Sequence, residues 1–229
     1  MCGRFTNQMT WRELHERYRA FLDNQQPTPN WPARYNIAPT QSVPVVRFID
    51  GKRRVYFLRW GLIPSWAKDS KIGANCINAV GETAHTKPAF RAAFKTRRCI
   101  VPADGFYEWT GEKGAKQPWH ITLLQPFGFA GLWETWKAPA AERNIEAGET
   151  LETFAIITSE PSPTVAKIHD REPVMLLQDQ FDAWLDAGVA VDDLRAMLRP
   201  APDELVRIQK ASTLVNSVRN DGPELLATA

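Results

Sequence analysis

The residue that opens the most chemistry in this chain is Cys2, because of where it lies. Once Met1 is removed, Cys2 carries an α-amine and a thiol on adjacent carbons. An aldehyde condenses with such an amine to a Schiff base, and the thiol then closes a five-membered thiazolidine ring. The two nucleophiles are covalently tethered, so ring closure is intramolecular and keeps the entropic advantage of proximity. An α-amine titrates at about 7.7–8 and is partly unprotonated near neutrality, whereas a lysine at about 10.4 needs strong desolvation to match it. By position alone, residue 2 is also simply where a cysteine fell. Cys76 and Cys99 lie among apolar or strand-forming neighbours and read as small buried hydrophobes. None of the four histidines (His15, His85, His120 and His169) is spaced as a zinc pair with cysteine or carboxylate, so neither a metal site nor any other cofactor is expected.

The elements that must position such a group are numerous and short. Thr10-Trp11-Arg12-Glu13 reads as a capping box, and Trp11, Leu14, Tyr18, Phe21 and Leu22 follow as a helical stripe. A polar loop is expected over 23–32. Strands are expected at 43–49 and 53–60 around a tight Asp50-Gly51 turn, and further on at 97–101, 106–109, 118–124, 127–133 and 154–158. Helices are expected at 87–95, 178–186 and 191–198, an exposed loop at 138–150, and a final turn at Asn220-Asp221-Gly222. With no internal repeat and no shift in composition, this predicts a single α+β domain over 2–229. Its β core is curved, barrel-like and mainly antiparallel, with peripheral helices. Trp133 and Trp184 are the clearest core tryptophans.

At 229 residues with 44% apolar content and nine tryptophans, the chain can build a core without staples. Three irregularly spaced cysteines argue against a disulfide framework and for a reducing compartment. No apolar run is long enough to span a membrane and no secretory h-region is visible, so a cytoplasmic protein is expected, with a monomer the simplest state. The net charge of +2 neither requires nor excludes nucleic acid.

An ordered set of short blocks narrows this. Cys2-Gly3-Arg4-Phe5 is followed by Tyr35-Asn36-Ile37-Ala38-Pro39, then Arg59-Trp60-Gly61-Leu62-Ile63-Pro64-Ser65-Trp66, then Ile77-Asn78-Ala79. The run from Arg98 through Pro102-Ala103-Asp104-Gly105-Phe106-Tyr107-Glu108-Trp109 comes next, with Lys116-Gln117-Pro118 after it. Ile168-His169-Asp170-Arg171-Glu172-Pro173-Val174 and Val215-Asn216-Ser217-Val218-Arg219-Asn220 complete the series. Each block is weak alone, but together, in this order, they resemble the SRAP family of SOS-response-associated peptidases, also called abasic-site processing proteins.

The resemblance implies covalent crosslinking of Cys2 to the ring-opened aldehyde of an abasic site in single-stranded DNA, protecting the lesion. This is lyase-type chemistry, preceded by self-processing that removes Met1. It implies that Glu108 is the active-site carboxyl; one such group can accept the proton of the attacking amine and return it to departing water. By spacing alone, Glu108 is a charged residue on an exposed strand face. His169 matches the catalytic histidine, suited to protonating the sugar ring oxygen, although beside Asp170 and Arg171 it also reads as a packing histidine. Asn78 matches a residue that contacts the sugar–phosphate. For DNA contacts the sequence offers Arg4, Lys71 and Arg98 as cations, with Pro39 and Trp66 as an apolar platform for bases beside the lesion.

The chain departs from the family pattern at Val80, where an arginine usually follows Asn-Ala. Losing that cation should weaken DNA binding and flatten its salt dependence by about one unit. Two other readings use the same residues. One is an N-terminal cysteine nucleophile peptidase acting on peptides beyond its own first residue. The other is a non-covalent DNA-binding module.

Overall fold

In a computed structural model of the chain, residues 2–22, 32–112, 114–142 and 144–227 are described. Among them the strands are β1 (Phe5–Asn7), β2 (Phe21–Leu22), β3 (Arg34–Ile37), β4 (Ser42–Ile49), β5 (Lys52–Trp60), β6 (Asn78–Val80) and β7 (Arg98–Ala103). They continue with β8 (Gly105–Thr110), β9 (Gln117–Leu123), β10 (Phe127–Lys137), β11 (Thr150–Ser159), β12 (Glu172–Pro173), β13 (Met175–Leu177) and β14 (Val206–Lys210). The helices are short: α1 (Trp11–Tyr18), α2 (Gly81–Ala84), α3 (Arg91–Thr96), α4 (Phe181–Leu185) and α5 (Val191–Ala196).

Five strands close on themselves. β11 pairs with β10, β10 with β7, β7 with β4 and β4 with β5, all antiparallel. β5 then returns to β11 in parallel, through Thr153 opposite Arg59 and Phe154 opposite Trp60. Closure removes the exposed strand edges that an open sheet would present. The β4–β5 hairpin turns at Asp50 and Gly51, both at positive φ (50° and 74°), as the right-handed twist of a two-residue hairpin requires. A second, five-stranded sheet runs β14-β9-β8-β1-β3. The protein is therefore α+β, with a barrel-like and mainly antiparallel β core.

Alternation along the ring strands sends side chains to two cores. Val46, Val55, Ile100, Ala130 and Ala155 pack with the helical residues Leu14, Tyr18, Phe94 and Trp184. Val45, Leu58, Val101, Phe129 and Ile156 pack with Phe5, Ile37, Phe106 and Ile121 of the second sheet. Phe5 meets Trp60 and Phe129 edge-on, with ring centroids 5.2 and 5.7 Å apart. Those contacts, and the pairing of β1 with β8 and β3, anchor the start of the chain between the two sheets. Among the described residues, no helix is long and apolar enough to cross a membrane.

The capping box forms as expected: Glu13 N–H donates to Thr10 Oγ1, and Thr10 N–H donates to Glu13 Oε2 at 2.7 Å. The helical stripe, however, stops early. Arg19 turns left-handed at φ 47°, and Phe21–Leu22 becomes a short strand alongside β5. Of the expected loop at 23–32, only Pro32 lies within the described residues. The stretch 138–149 joins β10 to β11 and is mostly exposed. Trp184 is fully buried, whereas Trp133 is only half-buried, with the Arg47 guanidinium stacked on its ring; among the described residues Trp60 and Trp136 are also fully buried. The strands β6, β12, β13 and β14 are not among the expected strands and are set by pairing with distant partners, although β14 does alternate apolar Val206 and Ile208 with polar neighbours.

Candidate active site

Cys2 is completely buried. Its carbonyl oxygen accepts a 2.8 Å hydrogen bond from Asn78 Nδ2, and its Sγ lies 3.9 Å from the Arg4 carbonyl oxygen. Burial pushes the thiol well above its ordinary pKa, and the nearby charge of Glu108 raises it further. Asn78 is placed by the parallel pairing of β6 with β11, one residue after Ile77, whose carbonyl accepts from Trp60 Nε1. The other amide atom, Asn78 Oδ1, is buried with no hydrogen-bond partner among the described residues. It is an acceptor held ready beside Cys2.

Glu108 comes from β8, next to β1, and is 3% exposed. Burial pushes its carboxyl up to about 7, with the charge of Asp170 adding to the rise and Lys116 opposing it. The group is therefore divided between acid and base near neutrality. His169 Nε2 sits 3.8 Å from Glu108 Oε2. His169 Nδ1 has two neighbours that need opposite protonation: it accepts from Arg171 N–H at 3.0 Å, and it lies 2.8 Å from Asp170 Oδ1. Asp170 is 88% exposed and its pull is screened. Burial is the larger influence and lowers the histidine pKa. The neutral ring with its proton on Nε2, facing Glu108, follows.

The structure thus gathers Cys2, Asn78, Glu108 and His169 from β6, β8 and two loops. Arg4 lies next to them, its Nη1 donating to Asn36 Oδ1 and to the Val215 carbonyl, both at 2.7 Å. Its guanidinium is 5.9 Å from the Trp109 ring centroid. Pro39 is half-buried in the turn after β3, and Trp66 stands 59% exposed. Lys71 is exposed and lines a cleft of about 740 Å³ with Arg59 and Trp60. Val80 is 40% exposed.

Arg98 does not belong with the DNA contacts. It is buried, and its guanidinium donates to the carbonyls of Phe94, Lys95, Trp184 and Asp186 at 2.5–2.8 Å. It satisfies the open carbonyl ends of α3 and α4, a structural task. Three residues near the site carried no functional expectation in the sequence: Trp109, Asn216 and Lys116. The only signal they gave was membership of the recurring blocks. Arg171, just after His169, makes a two-pronged ion pair with Glu82 at 2.8 and 2.7 Å and also donates to the Thr158 carbonyl. Among the described residues, no three His, Cys, Asp or Glu side chains cluster as metal ligands.

The family model for SOS response associated peptidase (SRAP) matches residues 1–218. The chain belongs to the SRAP family. Its relatives include abasic site processing protein YoqW of Bacillus subtilis, 39% identical over 99% of both chains. Abasic site processing protein HMCES of Gallus gallus is 34% identical over 99% of this chain and 77% of the relative. A crystal structure of a protein from Bacteroides thetaiotaomicron superposes with a TM-score of 0.87 at 25% identity, covering all of both chains. The SRAP blocks quoted from the sequence are the segments that converge here: the amino terminus, β6, β8 and the loop bearing His169.

Proposed function

We propose that this protein captures abasic sites in single-stranded DNA as a thiazolidine on Cys2. The observation that carries the reading is convergence. A buried amino-terminal Cys2, an amide with a free acceptor, a carboxyl titrating at about 7 and a neutral imidazole occupy one site. The names of YoqW and HMCES as abasic site processing proteins support the substrate class.

Hydrolysis of the Met1–Cys2 peptide bond consumes one water and frees the α-amine. The cyclic sugar opens to the aldehyde as its C1′ hydroxyl proton passes to the Glu108 carboxylate and His169 Nε2–H donates to the ring oxygen, the imidazole regaining its proton from the Glu108 carboxyl. The Cys2 nitrogen attacks C1′, and Glu108 takes the amine proton and returns it to the hydroxyl that leaves as water. The sulfur then adds to the imine carbon while the thiol proton passes to nitrogen. One water leaves per adduct, and no oxidant or reductant is required. Asn78 Oδ1 accepts from a sugar hydroxyl. A half-protonated carboxyl suits both directions of proton transfer.

The buried thiol, held well above its ordinary pKa, favours the amine as first nucleophile and weighs against a thiolate-first peptidase acting on other peptides. Incubation with an abasic single-stranded oligonucleotide should give a species that survives denaturing electrophoresis. Cys2→Ala, which keeps the amine, should leave only a reversible Schiff base and strand cleavage. An unchanged yield of stable adduct from Cys2→Ser, or an intact mass that retains Met1 in a crosslinking preparation, would overturn the mechanism.

A further inference from the structure

Beside Cys2 opens a cleft of about 480 Å³ whose described walls are Gly3, Arg4, Trp109, Gly114, Lys116 and Asn216. Among these described walls are two cations, one aromatic face and no carboxylate. Its parts are held in place. The Trp109 indole N–H donates to Asn216 Oδ1 at 2.7 Å, which fixes the plane of the ring. Arg4 is clamped by Asn36 and the Val215 carbonyl. Lys116 stands exposed just beyond the last β8–β9 pair, Thr110 with Gln117. Gly111 allows that turn: its φ is 92°, and a Cβ there would lie 2.8 Å from the Ala115 carbonyl oxygen.

We infer that this cleft is a nucleotide subsite: it takes the nucleotide adjoining the lesion, with its base stacked on Trp109 and its phosphate between Arg4 and Lys116. This rests on the proposed capture of abasic DNA and adds to it the placement of the neighbouring strand. The chemistry favours a nucleotide over a peptide. A planar ring beside two cations matches a base and its phosphodiester. Stacking on the Trp109 ring is tolerant of sequence, because every base has a π-face. Lys116 also reaches the reaction electrostatically, since its charge lowers the pKa of both Glu108 and His169. A phosphate that neutralises Lys116 therefore relaxes that effect as the strand docks. Lys116 and Trp109 are positioning residues.

The test separates docking from chemistry by using a single-stranded oligonucleotide with a stable tetrahydrofuran abasic analogue, which cannot form an adduct. Equilibrium binding is followed across salt concentration. For Lys116→Gln the slope of log K against log salt should flatten by about 0.7, the single-strand value for one phosphate contact. Trp109→Ala should weaken binding by about five- to a hundredfold at every salt concentration, while Trp109→Phe restores most of it. If Trp109→Ala unfolds the protein, the exposed Lys116→Gln variant decides alone. An unchanged slope and affinity for Lys116→Gln overturns the subsite, even if the wild type crosslinks the aldehydic oligonucleotide normally. A wild type that binds the analogue with a Lys116-dependent slope, yet forms no adduct, overturns the capture reading and keeps the subsite.

Discussion

Among the described residues Glu108, Glu134 and Glu172 are buried carboxylates, and Glu172 and Glu108 have been placed for opposite ends. Glu172 is fully enclosed and accepts three hydrogen bonds: from Ser162 N–H at 2.9 Å, Ser162 Oγ at 3.0 Å and Ala201 N–H at 3.2 Å. Glu108 is nearly as buried but faces an imidazole at 3.8 Å beside Cys2. Burial raises both pKa values. At Glu172 the backbone and hydroxyl donors counter that rise and tie two loops to β12. At Glu108 burial leaves the group poised at about 7. Burial alone therefore does not make a carboxyl reactive; what surrounds it decides.

The largest effect should come from breaking the structural partner. Glu172→Ala leaves three buried donors without an acceptor, and urea unfolding should show a loss of about 3–5 kcal/mol. A loss below about 1 kcal/mol would mean that the two carboxylates are not different in kind. Arg98→Met should follow, at about 2–4 kcal/mol, because four carbonyls lose their donor. If that variant is folded, its salt slope for DNA should equal the wild type's; a flattened slope would return Arg98 to the DNA surface.

Glu108→Gln should act in the other direction. Its folded pKa of about 7 lies above the ordinary 4.5, so the folded protein holds that proton more tightly across this window. The resulting stability is present below about 4.5 and is lost as pH rises through about 7. The variant should then exceed the wild type at pH 8 by up to about 3 kcal/mol, while crosslinking slows by about 10²- to 10⁴-fold. The difference between the two pH profiles is the quantity to measure. His169 and His120 have lowered pKa values, His120 to about 4, and contribute slopes of the opposite sign in both proteins. A difference curve that is flat from pH 4.5 to 8 would remove the poised carboxyl. The smallest effect, about 1 kcal/mol, is expected for Thr10→Ala, which deletes a helix cap on a helix that contributes no residue to the site, and should leave crosslinking unchanged.

Much of the site was legible because its chemistry is carried by residue types in recurring blocks. The joint reactivity of the Cys2 amine and thiol is covalent and needs no fold. Glu108 and His169 stood in blocks that are weak singly, and only the ordered set, through the family resemblance, singled them out. The DNA-facing cations were harder, because an arginine looks the same in sequence whether it meets phosphate or carbonyl. Arg98 faces four carbonyls, and Lys116, which carried no expectation, lines the cleft beside Cys2.

Sequence alone determined what depends on neighbours a few bonds away: the Thr10–Glu13 cap, the Asp50-Gly51 turn and the adjacency of amine and thiol on which the proposed role of Cys2 rests. Tertiary structure alone decided what depends on distant parts of the chain brought into contact. It closed the ring through Phe154 opposite Trp60 and stopped the first helix so that Phe21–Leu22 could pair with β5. It also buried Glu108 beside an imidazole. Local preferences are set by sterics and hydrogen bonds within a turn or two. Burial, and the proton affinity it governs, is a property of the whole packed molecule.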